Sequence, residues 1–149
     1  MNTAADHQHF SVAFFNRVWE LLEKSDRTAE ETERMISLCH ASLAHWRLRE
    51  DCAARNLSIG YWQLSRVYAV AGQAGNAGRY AELCLEVSGG EPAFYLAYAH
   101  ESVARAAALA GDLTVLQKHA ALARGLAAQV SDPEEVQMLQ ADLASLAGC

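Results

Sequence analysis

The sequence predicts an all-α protein, and three observations carry that prediction. Alanine makes up roughly a fifth of the 149 residues and only two prolines occur, so helix propensity is high throughout. Nowhere do β-branched residues alternate with polar ones, as a half-buried strand would require. The chain also matches itself at a shift of 39 residues, the mark of stacked helical hairpins. Three antiparallel hairpins and a C-terminal capping helix, in one domain over residues 1–149, are therefore expected.

Punctuation divides the chain into seven helices. Thr3 and Asp6 open the first, which runs through Phe10, Phe14, Val18 and Leu22 and fades at Lys24-Ser25-Asp26. Thr28-Ala29-Glu30-Glu31 is a capping box, with hydroxyl and carboxylate satisfying backbone N–H groups that the first turn leaves free. The stripe Met35, Leu38, Cys39, Ser42, Leu43 and Trp46 then extends to about Leu48. A third helix is expected from near Asp51 to Gly72, and the turn Gln73-Ala74-Gly75-Asn76 leads into a fourth, ending at Gly89-Gly90. Pro92 belongs in the first turn of a fifth, which stops at Gly111. Asp112 caps the sixth. Ser131-Asp132-Pro133-Glu134-Glu135 starts the seventh with a cap, a proline and acids facing the positive end of the helix dipole.

The repeat ties these helices together. Leu57 falls on Leu96, Leu64 on Val103, Arg66 on Arg105, and Ala71-Gly72 on Ala110-Gly111. The following helices agree through Ala81 on Ala120 and Leu83 on Leu122. A shift near 46 sets Phe15 over Tyr61, Val18 over Leu64 and Leu22 over Tyr68, more weakly. An irregular bundle with chance alanine matches is the alternative, and the matched glycine stop and arginine favour the repeat.

The central unit resembles a tetratricopeptide repeat: Tyr61, Leu64-Ser65, Tyr68, Gly72, Ala77 and Cys84 stand at that family's spacing, with Ala81 where a larger aromatic is usual. The third unit keeps Val103-Ala104 and Gly111 but has His100, Ala107 and Leu116 at positions of other preference. The chain is also similar to small bacterial proteins of this type through His40-Ala41-Ser42, His45-Trp46 and Ser65 to Val70. The resemblance implies a right-handed α-solenoid and no particular activity. It further implies that the first helix of each hairpin lines a concave groove, at Trp62, Arg66 and Ala69, then Glu101, Arg105 and Ala108, and more weakly Asn16, Glu20 and Glu23.

Helical spacing independently gathers Trp62, Arg66 and Ala69 on one face. An indole beside two guanidinium groups suits a partner bearing a carboxylate, since arginine binds carboxylates in a bidentate fork. Glu101, Arg105 and Arg66 could equally form a structural network across the groove. The expected function is a non-catalytic module binding a protein or peptide in this groove. A small-molecule sensor or enzyme for an acidic metabolite, and a self-assembling unit such as a homodimer, are the alternatives.

Other classes fit poorly. Twelve basic against eighteen acidic residues give a net charge of -6, unsuited to binding nucleic acid. No apolar run approaches a membrane span, and the polar, acidic N-terminus is unlike a signal peptide, so a cytoplasmic protein is expected. Cys39, Cys52, Cys84 and Cys149 contain no C-x-x-C pair; Cys39 and Cys84 fall on apolar stripes, and Cys149 is expected exposed. His40 and His45 are five apart and do not share a helix face, and His100 and His119 occupy the places of Tyr61 and Tyr80. No metal or cofactor is expected. Gly72 to Gly78 reads as a helix–helix turn with Gly78 easing a close approach, and Arg47, Arg49 and Arg55 read as solvated surface with an Asp51–Arg55 pair.

Overall fold

A computed structural model describes residues 3–146, and these residues form seven α-helices and no strand. The helices are α1 (Ala4–Glu23), α2 (Ala29–Arg47), α3 (Ala54–Val70), α4 (Ala74–Ser88), α5 (Ala93–Ala110), α6 (Leu113–Ala127) and α7 (Pro133–Ser145). The principal contacts pair α1 with α2, α3 with α4 and α5 with α6, while α7 packs on both α5 and α6. This is an all-α stack of three hairpins and a capping helix, as the sequence predicts. Cys149 lies outside the described residues. No described helix is long and apolar enough to cross a membrane.

The caps explain most of the boundaries. Thr3 and Asp6 act together, the hydroxyl accepting from the Asp6 N–H and the carboxylate accepting from the Thr3 N–H. Thr28 and Glu31 repeat that arrangement, and the Asp132 carboxylate accepts from the N–H groups of Glu134 and Glu135. Three starts differ from expectation, the first being that of α4: Gln73 is its N-cap, so Ala74-Gly75-Asn76 form its first turn and not a turn ahead of it. Helix α3 begins three residues after Asp51, because the Asp51 carboxylate is held by Arg49 and the Asn56 side chain instead accepts from the Ala53 N–H. Pro92 stands at the N-cap of α5, just before its first turn.

Both repeat glycines take the same left-handed conformation, Gly72 at φ 77° and Gly111 at φ 78°. The peptide N–H groups after them, at Gln73 and Asp112, bond back to Tyr68 and Ala107. An L-residue is strained at such a φ, so Gly111→Ala is expected to cost about 1 kcal/mol in urea unfolding. Gly78 differs: a Cβ there would stand an ordinary 4.0 Å from Ala106 Cβ, so the approach of α4 to α5 does not require glycine. The close approach is at Gly60, where a Cβ would lie 2.8 Å from Leu43 Cδ1.

The core runs the length of the stack. Met35, Leu64, Val67, Val18 and Cys84 are fully enclosed in its first part, Ala97, Ala104, Ala123 and Leu139 in its second. Burial pushes the Cys84 thiol up to about 11 and the Cys39 thiol well above its usual range, so both behave as small core side chains. Arg49 corrects the solvated-surface expectation. Its guanidinium lies 3.9 Å from the Trp46 ring centre, donates to Ser11 Oγ and pairs with Asp51, leaving its side chain 9% exposed. Arg55 pairs with Glu91 across the helices at 2.9 Å, not with Asp51.

The histidines pair within hairpins, and one of them, His40, reaches between two. Tyr61 stacks on Tyr80 in the second hairpin, and their counterparts His100 and His119 bring their Nδ1 atoms to 2.9 Å in the third. His40 bonds the Tyr68 hydroxyl at 2.8 Å, and His45 meets His7 at 2.9 Å. Burial first, then neighbouring His119 and Lys118, holds His100 below its usual value; burial and Lys118 do the same for His119. The unfolded chain thus binds protons that these folded imidazoles resist. Stability is full above the ordinary histidine value of 6.5 and is lost as pH falls from there through the folded values. The melting temperature is therefore expected to drop on acidification. The double substitution His100→Tyr/His119→Tyr, which installs the tyrosine pair of the second hairpin, is expected to shrink that drop.

Candidate functional site

The odd-numbered helices share one face, and a cavity of about 260 Å³ opens there. Helix α1 contributes Phe15 and Trp19, one helical turn apart, and α3 contributes Ser58, Ile59 and Trp62. Phe94, Tyr95 and Tyr98 come from α5, and Met138 and Asp142 from α7. No even-numbered helix lines it. The rings form a continuous chain: Phe15 to Trp19 at 6.4 Å, Trp19 to Trp62 at 5.5 Å, Trp62 to Tyr98 at 5.4 Å and Tyr98 to Phe94 at 5.1 Å. Offset and edge-on aromatic contacts of this kind contribute beyond burial alone and make a stiff wall.

Beneath that wall lies a charged layer. Glu101 is fully enclosed, and its Oε1 accepts from Arg105 Nε at 2.7 Å and from Arg66 Nη2 at 3.3 Å. Asp142 closes the layer from α7: its Oδ1 lies 3.3 Å from Arg66 Nη1, and its Oδ2 accepts from the Tyr98 hydroxyl at 2.8 Å. Arg105 Nη2 reaches past it to the Asp142 carbonyl at 3.0 Å and Ser145 Oγ at 2.8 Å. Two guanidinium groups thus meet two carboxylates. Burial works against the charge on Arg66, but Glu101 and then Asp142 outweigh it and hold its pKa above the usual arginine value. Burial first, and Asp142 second, keep the Tyr98 phenol neutral far above its ordinary range.

Of the residues the sequence singled out, the structure unites Trp62, Arg66, Glu101 and Arg105. The arginines are tied into the layer, each with a side chain 17% exposed, and Arg66 also stacks 5.1 Å from the Trp62 ring centre. Asn16 and Glu20 lie elsewhere, both exposed, with Glu20 paired to Arg17 on its own helix. The groove face of α1 is instead carried by their neighbours Phe15 and Trp19. Sequence reasoning also passed over Phe94, Tyr95, Tyr98, Met138 and Asp142. The i, i+4 spacing of Phe15–Trp19 and Phe94–Tyr98 was the available signal; nothing local pointed to Asp142.

Among the described residues, three enclosed side-chain polar atoms have no hydrogen-bond partner, namely Trp62 Nε1, Arg66 Nε and Glu101 Oε2. Among the described residues no group of three or more His, Cys, Asp or Glu is arranged to hold a metal ion. Comparisons with protein-family models, with curated proteins and with solved structures find no match for this chain.

Proposed function

We propose that this protein is a non-catalytic interaction module that takes up a segment of a protein partner in the groove along its odd-numbered helices. The observation that carries this reading is the aromatic cavity itself. Trp19, Trp62 and Tyr95 remain half-buried, drawn from three successive hairpins, and they line one cavity together instead of being scattered singly over the surface. Rigid aromatics lose little conformational freedom on contact and dominate the energetics of recognition surfaces. An acidic metabolite as the ligand is less well supported, because Glu101 and Asp142 already engage both arginines.

A random-peptide selection against the full chain tests the reading. Enriched peptides are expected to bind a folded Trp19→Ala/Tyr95→Ala variant at least about tenfold more weakly, some 1.4 kcal/mol. Peptides that bind wild type and variant alike would place recognition on another surface.

A further inference from the structure

The groove's charges say what kind of segment it takes, provided it is a partner-binding surface as proposed above. We infer that its occupant is an uncharged peptide segment that inserts one large apolar side chain, aromatic or branched aliphatic, between Trp19, Trp62 and Tyr95. Every cation around the cavity already has an acid of this chain. Arg66 and Arg105 share Glu101 and Asp142, and Arg55 holds Glu91 at 2.9 Å. An acidic side chain would therefore have to displace an internal carboxylate, and the enclosed one, Glu101, cannot move to water without unpacking α5.

A cationic side chain fares no better, although aromatic walls often attract one. Two of the rings are already engaged by cations of this chain: Arg66 lies 5.1 Å from the Trp62 ring centre and Arg55 lies 4.8 Å from that of Tyr95. Among the described residues, the one charged side chain that lines the cavity, Asp142, is already engaged on both oxygens, by Arg66 and by the Tyr98 hydroxyl, so an incoming cation finds no free acid there. What remains is apolar surface. The volume of about 260 Å³ is below the usual range for drug-sized ligands and is suited to a single bulky side chain.

The test uses blocked pentapeptides that differ only in a central Phe, Leu, Ala, Glu or Lys, titrated into the full chain while the indole N–H signals are followed by NMR. The Phe and Leu peptides are expected to shift the Trp19 and Trp62 signals and to bind about tenfold more tightly than the others. Their affinity is expected to stay within about twofold as salt rises from roughly 50 to 500 mM, since no ion pair forms. A Glu or Lys peptide that binds best, or no preference among the five, overturns the inference and leaves the groove as an interaction surface. If no peptide disturbs either indole at millimolar concentration, the inference and the groove reading fall together.

Discussion

Glu101→Gln is expected to destabilise the protein by about 3 kcal/mol, the largest effect of any single conservative change in the chain. The substitution keeps the shape and one acceptor oxygen but removes the charge that Arg66 and Arg105 both face. Glu101 is fully enclosed, so nothing from solvent replaces it, and the two guanidinium groups are left with Asp142 alone. For a chain of this length the loss corresponds to roughly 10 °C in melting temperature. The exposed control Glu82→Gln is expected to change stability by less than about 0.5 kcal/mol. Replacing the whole layer at once, Arg66→Met, Glu101→Leu, Arg105→Met and Asp142→Leu, is expected to recover most of the loss, because matched burial of ions contributes little net stability over apolar packing. A Glu101→Gln protein that melts with wild type would show the layer to be open to water.

The helices were legible in the sequence because their ends are decided locally. A threonine with a carboxylate three residues on, an Asp before Pro133, or a glycine that alone tolerates positive φ each acts within one turn. The core stripes followed for the same reason, since Met35, Cys39 and Leu43, or Tyr61 and Leu64, are set on one face by the helical period. Where a local choice was balanced, the reading slipped. Asp51 could cap α3 or hold Arg49, and the bidentate pair with Arg49 won, leaving Asn56 to set the start.

The site was legible only in part, for a physical reason. Arg66, Glu101 and Arg105 share a face because the hairpins repeat, so a shift of the chain against itself brings them together. Asp142 lies 76 residues from Arg66 and in a helix without a repeat counterpart. Its contact depends on how α7 docks, which no periodicity encodes. The first hairpin shows the same limit. Its match to the second is weak, and a register error of one residue moves the groove face from Phe15 and Trp19 to Asn16 and Glu20.

Docking of α7 is also where the second large effect is expected. Arg105→Ala should cost about 2 to 3 kcal/mol, somewhat less than the loss of Glu101 because the guanidinium is partly exposed and its field partly screened. The change removes one of the two cations on Glu101 and, with it, the donors that reach the Asp142 carbonyl and Ser145 Oγ. Those two acceptors are in the last turns of α7, where the helix has no basic residue of its own to complement its carbonyl end. Helix α7 should consequently loosen before the hairpins do. Amide exchange across residues 133–145 is expected to accelerate well beyond that of α3 and α5, while Leu139 and Leu143 keep the helix attached at lower occupancy. The same loosening withdraws Met138 and Asp142 from the groove, so a peptide captured there should dissociate faster from the variant. Uniform acceleration in all seven helices would instead mean that Arg105 supports the whole stack, and unchanged exchange in α7 would mean that its apolar contacts alone hold it.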